Sequence, residues 1–218
     1  KAGEGEMWEA PVRPWGGMEQ IAWTNDGQNI LYSSRKKIGK DYATSTNTDI
    51  YRYNIPTGEC KNLTEGMMGY DMNVVVSPQG DKIAWESMER DGYEADKQRL
   101  MVASLDWSDK SMPAINEIKD ITADFKYNVS GPSWSEDSKG IYFASLAEGL
   151  QGMFEAVCDD GSWKIGRLTG DDMWYDFGSP FHIVENENGR TLYTTWCSMD
   201  FPTELVAVTL GENSGYKQ

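Results

Sequence analysis

The 218 residues carry 20 basic against 35 acidic side chains, a formal charge of −15, with 39% hydrophobic residues, 22 Gly, 9 Trp, 11 Tyr and 6 Phe. That aromatic content excludes a disordered acidic tail, and the negative surplus, relieved by one basic run at Arg35-Lys36-Lys37, argues against nucleic acid and anionic membranes as partners. No apolar run reaches the roughly 18 residues of a membrane-spanning helix, and the opening KAGEGEMWEA has neither the apolar stretch nor the basic start of a signal peptide.

From residue 21 onward one plan recurs: an apolar strand, a polar turn of Asn, Asp, Gly or Ser, and a second apolar strand. It is read in IAWTNDGQNILYSS at 21–34, VVVSPQGDKIAWES at 74–87, PSWSEDSKGIYFAS at 132–145 and FHIVENENGRTLYTTW at 181–196. Aligned on the second strand, Ile30, Ile83, Ile141 and Leu192 fall 53, 58 and 51 residues apart, the period of a propeller blade. Each unit continues with a third strand and a short fourth that closes on Leu/Ile-Thr: DIYRYNIPTGECKNLT at 49–64, RLMVASLD with IKDIT at 99–122, and MFEAVCDDGSWKIGRLT at 153–169. The last unit offers ELVAVTL at 204–210 and no fourth strand.

Helical periodicity is absent, so the expected fold is all-β: a partial β-propeller of about four consecutive four-stranded antiparallel blades, some fifteen strands in all. The expected blades are 21–64, 74–122, 131–169 and 180–218, the last lacking its final strand, with 1–20 ending a preceding blade or linker. A start without Met and a polar end, GENSGYKQ, read as a piece of something longer. Trp23, Trp85, Trp134 and Trp196 sit on or beside the inner strands as packing filler.

Cys60, Cys158 and Cys197 are odd in number and without CxxC spacing, which fits half-buried thiols rather than a disulfide framework or a zinc site. Asp159-Asp160 and Asp171-Asp172 lie in no EF-hand loop, so neither metal nor cofactor is called for. Asn62-Leu63-Thr64 and Asn128-Val129-Ser130 match the glycosylation sequon at chance frequency.

The units SPQGDKIAW and WSEDSKGIYF resemble the WD-like repeats of TolB-type propellers and of the prolyl oligopeptidase family of serine peptidases. The longer run from Arg13 to Val102 is similar to the propeller domain of bacterial dipeptidyl aminopeptidases of that family, and the likeness extends less sharply to about Leu210. The resemblance implies a two-domain enzyme whose α/β-hydrolase domain carries a Ser, Asp, His triad and releases dipeptides or short peptides from free N-termini. This sequence departs from it: no Gly-x-Ser-x-Gly elbow occurs, and the single histidine, His182, lies in an apolar strand as a packed or hydrogen-bonded residue. No catalytic residue is assigned within the chain.

Propeller geometry places loops 35–48, 86–97, 146–151 and 197–203 on one face together with 65–73, 123–131 and 170–179. Aromatics beside carboxylates there, Tyr70-Asp71, Phe125 near Tyr127, and Trp174-Tyr175-Asp176-Phe177, suit a peptide with a cationic amine. Glu86, Glu89 and Glu94 in the acidic stretch to Lys97 are the candidate amine anchors, against the plainer reading of a solvated loop with local ion pairs. The adjacent Glu-Glu pair of one dipeptidyl peptidase subgroup is missing. Two functions follow: a non-catalytic propeller that gates and positions short peptides for a hydrolase domain in a periplasmic or extracellular exopeptidase, or a TolB-like module that binds another protein without chemistry. An arc of four blades exposes strand edges, so it either stays open or forms a homodimer through them.

Overall fold

The computed structural model describes residues 8, 10, 12, 16–109, 113–170, 176–178, 181–187 and 189–210. It divides into two compact units, Lys1–Ala123 and Asp124–Gln218. In the first, β1 (Ile21–Trp23), β2 (Asn29–Ser34), β3 (Asp49–Asn54) and β4 (Cys60–Asn62) form one antiparallel sheet in sequence order. β5 (Asp71–Val76), β6 (Lys82–Ser87), β7 (Arg99–Asp106) and β8 (Ala114–Asp120) form the next. The second unit holds β9 (Ser130–Trp134), β10 (Gly140–Ala147), β11 (Leu150–Asp159) and β12 (Ser162–Arg167), again in order. Its other sheet is built from β13 (Asp176–Phe177), β14 (His182–Asn186), β15 (Gly189–Cys197) and β16 (Glu204–Leu210). There β13 and β14 pair with successive stretches of β15, Phe177 facing Trp196 and His182 facing Tyr193, so they act as one interrupted inner strand.

The recurring turn is one hydrogen-bonded device. Thr24, Ser77 and Ser135 each end or follow an inner strand and accept, on the side-chain oxygen, the N–H of the residue five positions on: Asn29 at 3.2 Å, Lys82 at 3.0 Å and Gly140 at 2.8 Å. Each hydroxyl in turn donates to a turn carboxylate, Asp26, Asp81 or Asp137. The third turn residue needs a left-handed backbone; it is Gly27 (φ +65°) and Gly80 (φ +72°) in the first two, whereas Ser138 (φ +61°) takes it in the third.

The Leu/Ile-Thr closures form a second device. The Thr64, Thr122 and Thr169 hydroxyls accept the N–H of Ile50, Leu100 and Met153 at 3.0, 2.9 and 3.2 Å. The preceding Leu63, Ile121 and Leu168 turn inward, and their own N–H groups bond Ile50, Leu100 and Met153 oxygens. A chain leaving the fourth strand is thereby tied to the third, satisfying a buried donor where the ladder stops.

Period-two alternation sends one face of each sheet into a shared core. In the first unit Leu31 and Ile50 of one sheet meet Val74, Ile83, Trp85 and Met101 of the other. In the second, Tyr142, Ala144 and Met153 meet Phe177, Ile183, Leu192 and Val208. Trp85 is fully enclosed, a burial worth about 3 kcal/mol in apolar area.

Four expectations change. A six-residue helix, α1 (Gly39–Thr44), interrupts the 35–48 connection. The 146–151 segment is strand on both sides of a two-residue turn, Glu148-Gly149, with φ of +54° and +87°. Trp23 is 57% exposed rather than packed, because it shares the face of β1 opposite the core-facing Ala22. His182 is exposed on β14 while its neighbour Ile183 enters the core. All three cysteines are free thiols, Cys60 exposed and Cys158 and Cys197 half-buried.

Candidate functional site

At the strand ends of the first unit, three segments are bound into one polar platform: 45–48, 69–71 and 88–96. Thr48 forms a parallel bridge to Tyr70. Its N–H donates to Gly69 O at 2.9 Å, its hydroxyl donates to Asp71 O at 3.0 Å, and Asp71 N–H is shared between Thr48 Oγ1 at 2.9 Å and Thr48 O at 3.1 Å. Met88 N–H closes the other side on Tyr70 O at 2.7 Å.

Asp91 pins the acidic loop to this platform. Its Oδ1 accepts from Ser45 Oγ at 2.7 Å, Thr46 N–H at 2.7 Å and Asn47 N–H at 3.1 Å, while Gly92 N–H donates to Thr46 Oγ1 at 2.8 Å. Burial opposes ionisation of Asp91, but these donors outweigh it and hold the carboxyl below its ordinary range. Asp96 organises the loop from within. It accepts the Arg90 guanidinium on both oxygens, at 2.9 and 3.2 Å, and the N–H groups of Glu89, Arg90 and Lys97. The Arg90 hydrogen bonds drive its carboxyl far down. Arg90 also lies 4.1 Å above the Tyr93 ring.

The sequence candidates separate on this frame. Tyr70 and Glu94 come together: the Tyr70 hydroxyl donates to the exposed Glu94 Oε1 at 3.1 Å, and burial, then Glu94, raise the phenol's pKa. Glu89 projects into solvent, 3.9 Å from Arg99. Glu86 is only 1% exposed and accepts from Gln98 Nε2, out of a surface ligand's reach. Asp71 is equally sealed at 1%, its Oδ1 accepting from Trp85 Nε1 at 3.0 Å. Trp174 and Tyr175 lie outside the described residues. Phe125, expected on the loop surface, packs edge-on against Phe143 and Phe154 at 5.6 and 5.2 Å.

Sequence reasoning overlooks Thr48, and it counts Asp91 and Asp96 among the loop carboxylates open to an amine, whereas both are spent on the platform's own hydrogen bonds. The Ser45-Thr46-Asn47-Thr48 run is a signal for such backbone-capping contacts, but its partner 44–46 positions away is not. Among the described residues no three His, Cys, Asp or Glu side chains converge as metal ligands.

Four antiparallel sheets, three of them in sequence order and with repeated hairpins and closures, define a partial β-propeller. No family model matches the chain. It is 47% identical over 175 residues to dipeptidyl-peptidase 5 of Porphyromonas gingivalis, covering 80% of this chain and 24% of that protein. Among solved structures, a prolyl endopeptidase superposes with a TM-score of 0.62 at 14% identity, covering 87% of this chain and 25% of its own. TolB of Acinetobacter baumannii does so with 0.50 at 18% identity, covering 88% and 44%. The chain is a β-propeller segment similar to part of a bacterial dipeptidyl-peptidase 5, and it shares its fold with parts of a prolyl endopeptidase and of TolB. It spans about a quarter of the length of the curated relative it matches.

Proposed function

We propose that this segment is the non-catalytic propeller part of a secreted, serine-type dipeptidyl peptidase, gating and positioning short peptides for an α/β-hydrolase domain carried elsewhere in the same protein. The observation that carries the proposal is the 47% identity to a dipeptidyl peptidase. The lack of an elbow serine and the presence of a single histidine, exposed on β14, agree with a segment that leaves the chemistry to another domain. Tyr70 and Glu94 are the candidate contacts for the peptide amine. An exposed carboxylate oriented by a phenol offers a charge-assisted acceptor on a braced platform, and Trp174 and Tyr175 are further candidates from the sequence alone.

The periplasm or the outside of the cell is the proposed location, and pairing of two copies is no part of the proposal. The TolB-like reading rests on the lower identity, 18%. The two separate experimentally. The 218-residue chain alone should release no dipeptide, whereas the full-length peptidase should. In the latter, Tyr70→Phe with Glu94→Gln should raise KM about tenfold at unchanged kcat, a loss of about 1.4 kcal/mol in binding. An unchanged KM removes these residues from the site; a full-length protein without peptidase activity removes the enzyme reading.

A further inference from the structure

Beneath the Tyr70–Glu94 pair lies a buried acid that the proposed peptide contacts do not use. Asp71 is the last link between the platform and the first unit's core. Its backbone holds Thr48 in both directions, and its side chain reaches inward to the Trp85 indole. Only Oδ1 is engaged; Oδ2 is buried and accepts no hydrogen bond among the described residues. Charge of the same sign stands on the neighbouring strand, where Asp49 opens β3, and the Thr64 hydroxyl bears on both carboxyls. From β6 the Ser87 hydroxyl approaches, itself accepting from Arg99 at 3.2 Å, and Lys37 acts on the Asp49 side. Among the described residues Asp71 thus has the Trp85 indole on Oδ1, the Ser87 and Thr64 hydroxyls close by, no donor on Oδ2 and no cation bonded to it.

We propose that Asp71 is a proton-operated latch: while its carboxyl is protonated, the Thr48–Tyr70 clasp holds segments 45–48 and 88–96 together, and ionisation makes opening of the clasp more frequent, releasing the Tyr70–Glu94 pair. Protonation removes a buried charge whose second oxygen lacks a donor, so the closed platform binds the proton more tightly than the opened one, where water reaches both oxygens. Burial is the main cause, with Asp49 adding to it against the lowering influence of the Ser87, Trp85 and Thr64 donors, and the carboxyl is pushed up to about 7.

The direction follows from linkage. The closed state keeps the proton up to about pH 7, whereas the opened state loses it near its ordinary 3.8. Between those values opening therefore becomes up to about tenfold more frequent per pH unit, and above 7 it levels off. Asp91 and Asp96, held low, work oppositely, but only below about pH 4. This inference concerns the same site as the proposed amine contacts, but it stands or falls on loop order and not on peptide binding.

Hydrogen exchange of the whole chain, corrected for intrinsic rates and followed from pH 5 to 8.5, tests it. In the wild type, protection of amides in 45–48, 69–71 and 88–96 should fall steadily to about pH 7 and then hold, while amides of β10 and β11 show no such profile. Asp71→Asn, neutral throughout, should make platform protection flat with pH. Asp49→Asn removes the neighbouring charge and should move the plateau to lower pH, and it keeps the test decisive if Asp71→Asn fails to fold. A flat wild-type profile, an Asp71→Asn profile like the wild type's, or an Asp49→Asn profile left in place overturns the latch. Loss of peptide affinity in Glu94→Gln with the profile intact bears on the amine contacts alone.

Discussion

At the scale of single residues, backbone sign decides more than side-chain chemistry. The third sheet contains two tight hairpins of the same length, Glu148-Gly149 between β10 and β11 and Asp160-Gly161 between β11 and β12. Their first residues both take positive φ, +54° for Glu148 and +46° for Asp160, a region that a short side chain such as Asp or Asn tolerates and a long one resists. Glu148 is exposed and Asp160 already has the favoured type. Glu148→Asn should therefore stabilise the protein by about 0.5–1 kcal/mol, read as a rise in denaturation midpoint at constant m value. A neutral or lower midpoint would show that Glu148 gains elsewhere what its backbone loses.

At the scale of elements, the hydroxyl closures explain why the first three repeats end on threonine. Thr122 accepts from Leu100 N–H, donates to Asp120 at 2.9 Å, and is fully buried. Thr122→Val keeps the shape but leaves Leu100 N–H without that acceptor, so it should cost about 1–3 kcal/mol, seen in thermal melts. If the melt is unmoved, the closure is ornamental. Much of this was legible beforehand, because the hairpin donor and acceptor lie five positions apart and the closing Leu/Ile-Thr recurs at the end of each of the first three repeats. The repeat spacing followed from Ile30, Ile83, Ile141 and Leu192, which stand at corresponding places in the second strands. The platform was not legible in the same way. Asp91 meets residues 44–46 positions away, and nothing in the acidic stretch distinguishes it from Glu89, which points to solvent. Phe125 and Trp23 were misplaced because an aromatic in a loop or a short edge strand has no periodicity to assign its side.

At the scale of the whole molecule, the charge of −15 takes on a location. Several acids are consumed internally, Asp91 by backbone N–H groups, Asp96 by Arg90, and Glu155 by Arg190 at 2.7 Å, while Glu89 and Glu94 remain at the surface beside the platform. A peptide with a cationic N-terminus should accordingly bind faster at low ionic strength, its association rate dropping as salt rises from about 0.01 M to 0.15 M and the screening length shrinks from about 30 Å to 8 Å. Under the proposed function, stopped-flow binding to the full-length protein measures this, and salt-independent association would sever the link between charge and recognition.

The five-residue hairpin that begins at Thr24, Ser77 and Ser135 separates the fixed part of the repeat from the variable part. Its hydroxyl and its donor stay five positions apart in all three sheets, while the hairpins themselves are spaced 53 and 58 residues apart. In these three sheets the joint that sets inner-strand register is constant, and the changes of length fall in the outer connections. Lengthening those connections alters what the molecule presents to its surroundings without disturbing the inner pairing.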